Sequence, residues 1–164
     1  RGPGSCTCGR RSGTFSIAAS ARIAEANAML KVKEAEDMDP ILPGCAFVAP
    51  GNSHIGMEEK NSQRFVRVFK GEKVSGHRPS IDVMFHSMAA TARKNAVAVI
   101  MTGMGRDGAE GIARIKELGG FTIAQNEATS VVYGMNRVAV EKGVVSNDDI
   151  VPLSEIPKKI VEYI

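Results

Sequence analysis

The amino-acid sequence predicts an α/β fold in which a doubly wound, mostly parallel sheet is flanked by helices. Helical and strand patterns alternate along most of the chain, an order typical of parallel βαβ units. The run 96–101 is uniformly apolar, as expected for a strand that is covered on both faces. With 164 residues the chain has about the length of one ordinary domain.

The first half of the chain is predicted to hold an irregular start, one helix and three strands. Residues 1–14 are rich in Gly, Ser, Cys and Arg and show no apolar pattern, so we predict an irregular segment there and a single domain over residues 15–164. Apolar side chains at helical spacing run from Phe15 to Leu30. Short apolar or alternating runs predict strands at 30–35, 45–49 and 63–70.

The second half has a more regular pattern of helices and strands. Ser80 is placed to cap a helix whose apolar stripe extends from Ile81 to Ala92. A further helix follows a glycine-rich turn, with core positions at Ile112, Ile115 and Leu118. The remaining elements are predicted as a strand at 121–124 and helices at 135–141 and 154–163.

Composition and charge exclude several classes of function. The net charge is only +3, aromatic residues make up 5% of the chain and Trp is absent, so we predict no binding of nucleic acid. No apolar run reaches the roughly 18 residues that a membrane span needs, and we predict no membrane insertion. Cys6, Cys8 and Cys45 suit a reducing cytoplasm better than a disulfide scaffold. Cys6 and Cys8 lack partners at zinc-finger spacing, so we predict no metal site.

The candidate site is the glycine-rich turn at residues 102–108. It follows the apolar strand and precedes a helix, which places it at the carboxyl edge of the sheet, where open α/β folds bind ligands. Its candidate site residues are Thr102, Gly103, Met104, Gly105 and Asp107. A carboxylate at a helix N-terminus is favoured by the helix dipole. Asp107 is therefore the candidate acid.

Two other interpretations of this turn remain open at this point. Asp107 is also a residue type that caps helices, with no further role. Gly103, Gly105 and Gly108 match the G-x-G-x-x-G pattern of dinucleotide-binding turns, with Glu127 about twenty residues further on. The bulky Met104 and the carboxylate of Asp107 argue against a bound pyrophosphate. We predict that no cofactor is bound.

A nucleophile with a histidine base is not evident. The sequence contains no G-x-S-x-G elbow. His86 falls within a helix and His77 lies in a turn, whereas His54 is predicted in a loop after a strand. We expect all three histidines to have structural or surface roles.

Several motifs together resemble the catalytic domain of the chemotaxis protein-glutamate methylesterases, the CheB family. The resemblance extends from about Phe15 to the C-terminus. The motifs are K-E-A-E-D at 33–37, P-G at 43–44, A-P-G at 49–51 with His54, H-R-P-S-I-D-V at 77–83, T-G-M-G-R-D-G-A at 102–109, A-Q-N-E at 124–127 and V-V-Y-G-M at 131–135.

This resemblance implies an activity and partners. Members of the family hydrolyse glutamate γ-methyl esters on methyl-accepting chemoreceptors and deamidate receptor glutamines, using a Ser-His-Asp triad. Asp107 matches the acid of the triad, and Met104 matches a residue that lines the active site. Asn136 stands where a proline is usual after Gly-Met.

The sequence also departs from the family pattern. The serine turn G-x-S-T-G-G and the histidine turn Q-H-M-P do not occur in it. We therefore expect a chain that lacks the first β-α-β unit of the family and the receiver domain normally present in cis, and that is inactive alone. The alternative functions are a non-catalytic receptor-binding remnant and, with less support, a dinucleotide-binding domain.

Overall fold

The computed structural model describes residues 6–8 and 31–163 of the chain. The chain divides into two compact units, Arg1–Met84 and Phe85–Ile164. The single domain predicted over residues 15–164 stays a prediction. The helix predicted to begin at Phe15 lies outside the described residues.

The first unit contains a parallel sheet of three strands. Its strands are β1 (Cys6–Cys8), β2 (Lys31–Glu34) and β3 (Cys45–Val48), in the order β1-β3-β2. The strands predicted at 30–35 and 45–49 are confirmed. The prediction that residues 1–14 are irregular is wrong at Cys6–Cys8, because this short segment pairs residue by residue with Ala46, Phe47 and Val48.

An antiparallel hairpin follows in the same unit. Strand β4 (His54–Lys60) pairs with β5 (Gln63–Phe69) along their whole length. Asn61 and Ser62 connect the strands with φ angles of 50° and 62°, the positive values that two-residue hairpin turns require. Strand β5 confirms the strand predicted at 63–70. Strand β4 was not predicted, and its first residue, His54, was expected in a loop.

Helix α1 (Ile81–Ala92) begins in the first unit and ends in the second. The hydroxyl of Ser80 accepts a hydrogen bond from the Val83 N–H at 3.4 Å, so the predicted cap is confirmed. Met84, Phe85, Ala89 and Ala92 are buried on one face, as the apolar stripe predicted.

The second unit contains a parallel sheet with strand order β6-β7-β8. The strands are β6 (Val97–Ile100), β7 (Phe121–Gln125) and β8 (Ile150–Val151), and the helices are α2 (Ala109–Glu117), α3 (Met135–Glu141) and α4 (Ile156–Tyr163). All of these elements except β8 were predicted. The parallel sheets and flanking helices confirm the α/β class.

The core of the second unit explains why its sheet and helices pack together. Ile123 in β7 is fully buried against Val151 of β8 and Ile156 of α4. Ile112 and Ile115 are fully buried in α2. Branched apolar side chains on neighbouring elements thus remove a continuous surface from water. This core holds the ends of three parallel strands in fixed positions.

Replacing Ile123 by Ala should lower the free energy of unfolding of the second unit by about 2–5 kcal/mol, because it leaves a cavity among fully buried side chains. Urea unfolding followed by circular dichroism measures the change. Val161→Ala is the control, since Val161 is exposed, and should alter stability by less than about 0.5 kcal/mol. Equal effects of the two substitutions would contradict this description of the core.

Candidate active site

Residues 102–108 form a turn at the carboxyl edge of the second parallel sheet. The turn begins shortly after Ile100, the last residue of β6, and ends where α2 begins at Ala109. Asp107 is only 1% exposed, although the neighbouring turn residues Met104, Gly105 and Arg106 are exposed. A buried carboxylate in an otherwise exposed turn is typical of a functional group, because burying a charge is costly unless the surroundings compensate it.

The structure corrects the interpretation of Asp107 as a simple helix cap. Gly108 occupies the N-cap position of α2, with a φ angle of 97°. This positive angle favours glycine, since side chains rarely adopt it. Asp107 therefore precedes the N-cap residue by one position.

The turn is fixed by a close approach to the loop that follows β7. Gly103 donates its N–H to the carbonyl of Val132 at 3.0 Å and accepts the N–H of Met135 at 2.9 Å. A Cβ atom on Gly134 would lie 2.6 Å from the carbonyl oxygen of Gly103. Only glycine at position 134 allows the two backbones to lie this close.

Thr102 adds side-chain hydrogen bonds to the same contact. Its hydroxyl accepts the N–H of Val132 at 2.9 Å, and its own N–H donates to Oε1 of Gln125 at 2.9 Å. This role of Gln125 was not predicted from the sequence. The signal that could have identified it is a long polar side chain at the end of an apolar strand, where core residues are otherwise apolar.

Exposed apolar side chains surround the turn on the loops of the sheet edge. Met104 is 79% exposed and Val131 is 90% exposed, and Met101 and Val132 are also exposed. Single exposed apolar residues are ordinary, but several on adjacent loops indicate a surface that contacts a ligand or partner. We call Met101, Met104, Val131 and Val132 the apolar rim.

Two titratable groups near the turn have shifted pKa values. Burial raises the pKa of Tyr133, and the negative charge of Glu127 raises it further, so this phenol is neutral at physiological pH. A hydrogen bond from Lys142 lowers the pKa of Glu110 in α2. Arg106 lies 3.9 Å from the same carboxylate. Glu110 is thus charged and paired, whereas Tyr133 is uncharged.

The histidines have the structural and surface roles expected from the sequence. His54 is buried in the first unit, where Nε2 donates to the carbonyl of Glu72 at 2.8 Å and Nδ1 accepts the N–H of Ser80 at 3.3 Å. Both ring nitrogens therefore have main-chain partners. His77 closes a turn with Val74, and His86 is exposed on α1.

The described residues, 6–8 and 31–163, contain neither a metal-binding cluster nor a membrane-spanning helix. Within these ranges no group of three or more His, Cys, Asp or Glu side chains could hold a metal ion. No helix in the same ranges is long and apolar enough to cross a membrane.

Comparisons with known proteins give a consistent result. Residues 12–160 match the family described as CheB methylesterase. The chain is 44% identical over 134 residues to a protein-glutamate methylesterase/protein-glutamine glutaminase of Thiobacillus denitrificans, and 47% identical over 133 residues to one of Pseudomonas aeruginosa. These matches cover 82% and 81% of this chain but only 37% and 38% of the two relatives.

A solved structure gives the same assignment for the fold. The chain matches the crystal structure of the Thermotoga maritima CheB methylesterase catalytic domain with a TM-score of 0.95 and 32% identity. The match covers 99% of this chain and 85% of that domain. The resemblance identified from the motifs is therefore confirmed by sequence and by structure.

Gly134→Ala should destabilise the second unit by about 1–3 kcal/mol, because the added Cβ would overlap the carbonyl oxygen of Gly103 and force the two loops apart. Thermal unfolding measures the loss. Val131→Ala in the same loop is the control and should have almost no effect, since Val131 is 90% exposed. A Gly134→Ala protein as stable as the parent would show that the two backbones need not lie this close.

Proposed function

The chain belongs to the CheB methylesterase family, and from this membership we propose that it forms part of a protein-glutamate methylesterase. The reaction is hydrolysis of glutamate γ-methyl esters on methyl-accepting chemoreceptors, with deamidation of receptor glutamines as a second activity. The observation that supports the proposal best is the position of Asp107. It lies in the family motif, is 1% exposed and is held at the carboxyl edge of a parallel sheet.

Asp107 is proposed as the acid of a Ser-His-Asp triad. A serine oxygen attacks the γ-carbonyl carbon of the ester, and the histidine takes the serine proton and then gives it to the departing methoxide. Methanol leaves, and water hydrolyses the acyl-enzyme to release the glutamate side chain. In this scheme the carboxylate of Asp107 holds the imidazole in the required tautomer and stabilises the imidazolium.

The other turn residues are proposed to line the site. Thr102 and Gly103 hold the turn against the loop after β7 through the hydrogen bonds described above. Gly105 has a φ angle of 93°, which lets the chain reverse between Met104 and Asp107. Met104 is exposed in the same turn as the acid, and we propose that an ester group packs against its apolar side chain.

The serine and the histidine of the triad are proposed to come from the family turns G-x-S-T-G-G and Q-H-M-P. Neither motif occurs in these 164 residues. Members of a triad act as a unit, so an acid without its histidine and serine contributes little. The 164-residue polypeptide is therefore proposed to be inactive alone, with a cytoplasmic location and with chemoreceptors and a receiver domain as partners of the whole protein.

A receptor-binding role without catalysis is the second candidate, and the apolar rim favours it. Met101, Met104, Val131 and Val132 offer a contact surface that needs no nucleophile. The dinucleotide interpretation has less support. The N–H of Gly103 is already donated to Val132, and Glu127 lies exposed in a short 3-10 helix.

We expect the 164-residue polypeptide to release no more methanol from methylated receptor than a protein-free blank. An extended chain, in which the family segment with both turns replaces residues 1–14, should release methanol. Asp107→Ala in the extended chain should lower kcat by about 10⁴-fold, as loss of a triad acid does. Asp148→Ala, at an exposed carboxylate of the same unit, is the matched control and should retain activity.

A fluorophosphonate probe separates the candidate functions. It should label the serine of the extended chain and leave the 164-residue polypeptide unlabelled. Methanol release by the 164-residue polypeptide that disappears in Asp107→Ala would mean that a nucleophile exists within it, and would contradict the proposed origin of the serine. An extended chain that binds the receptor but releases no methanol would favour the non-catalytic role.

A further inference from the structure

We propose that Gln125 is a positioning residue that fixes the turn at residues 102–108 and, through it, the carboxylate of Asp107. The inference rests on the proposed function for its catalytic consequence, and on hydrogen bonds within the second unit for its structural part. Gln125 is the last residue of β7 and is 1% exposed. A long polar side chain is rarely buried this completely unless its amide is hydrogen-bonded.

Both ends of the Gln125 amide have main-chain partners. Oε1 accepts the N–H of Thr102 at 2.9 Å, and Nε2 donates to the carbonyl of Thr129 at 2.6 Å. The side chain therefore joins the chain that leaves β6 to the chain that leaves β7. Glutamine combines this length with an acceptor and a donor at the tip and carries no titratable group.

The neighbours of Gln125 hold it in this orientation. Asn136, which is fully buried, donates from Nδ2 to the main-chain carbonyl of Gln125 at 2.8 Å. Thr129 is held in turn by Asn126, whose Oδ1 accepts the Thr129 N–H at 3.1 Å, and by the N–H of Leu153, which donates to the Thr129 hydroxyl. Asn136 thus fixes the main chain of Gln125, and Asn126 and Leu153 fix the residue that accepts from its amide nitrogen.

The position of Thr102 explains why this anchor affects Asp107. Thr102 is the first residue of the turn, and the hydrogen bond from Ile112 to the carbonyl of Gly108 secures its other end. Asp107 lies between these two anchors. Loss of the Gln125 contact removes the hydrogen bond of the Thr102 N–H and leaves this end of the turn held only by its contacts with Val132 and Met135. A shift of about 1 Å in a catalytic group can cost roughly a hundredfold in rate.

The first arm of the test uses the 164-residue polypeptide and needs no activity. Gln125→Leu should increase the amide hydrogen exchange rate of Thr102 at least about tenfold, because the acceptor is lost. Thr122→Val is the matched control: Thr122 lies in the same strand, is 1% exposed and donates to the carbonyl of Val144 at 2.7 Å, away from the turn. It removes one buried hydrogen bond and should leave the protection of Thr102 unchanged.

Gln125→Glu distinguishes positioning from packing. A protonated carboxyl can accept from Thr102 and donate to Thr129, whereas an ionised one would place negative charge against the carbonyl of Thr129. The protection factor of Thr102 in Gln125→Glu should therefore be restored as pH falls and the carboxyl takes up a proton. A pH-independent protection factor in this variant would overturn the inference.

The second arm uses the extended chain and measures methanol release. Gln125→Leu should lower kcat about a hundredfold and change KM less than about threefold, whereas Thr122→Val should keep kcat within about threefold. Unchanged kcat in Gln125→Leu, or an equal loss in Thr122→Val, would overturn the inference. An inactive parent chain would contradict the proposed function instead, and the exchange arm would still decide whether Gln125 fixes the turn.

Discussion

The close approach of the Gly103 and Gly134 backbones is the constraint on which the candidate site depends. Two loops that leave neighbouring parallel strands are joined there by main-chain hydrogen bonds from Gly103 to Val132 and from Met135 to Gly103. A side chain at position 134 would overlap the Gly103 carbonyl, so the contact requires glycine. Because the turn is fixed at this point, Asp107 can be buried at the sheet edge while Met104 remains exposed.

The contact is supported by polar groups placed in the interior next to it. Gln125 and Asn136 are buried. The Gln125 amide donates to the carbonyl of Thr129 in the segment after β7, and the Asn136 amide donates to the carbonyl of Gln125 at the end of β7. Such groups fix a unique arrangement only when they are satisfied. The exception is Oδ1 of Asn136, which has no hydrogen-bond partner within the described part of the chain. Asn136 stands where the family usually has a proline.

Helices and strands with a regular apolar pattern over many residues could be predicted from the sequence. Short strands that form only by pairing with a distant segment could not. The stripes around Ile81 and Ile112 and the apolar run 96–101 identify helices and a strand without further information. Strand β8 has only two residues and exists because they pair with Ala124 and Gln125. Cys6–Cys8 is likewise a strand through its pairing with β3. In the candidate site, the motif predicted the turn and proposed Asp107 as its acid. The contact between residues 103 and 134 could not be predicted, because no local sequence pattern encodes it.

The pKa of the catalytic histidine in the extended chain tests the proposed role of Asp107 most directly. A buried carboxylate that orients the imidazole also stabilises the imidazolium, and so raises the pKa of that histidine. The account predicts that Asp107→Asn lowers this histidine pKa by at least about one unit in an NMR titration. The exposed-site control Asp148→Asn should leave it unchanged. An identical histidine pKa with and without the Asp107 carboxylate would contradict the assignment of Asp107 as the acid of the triad.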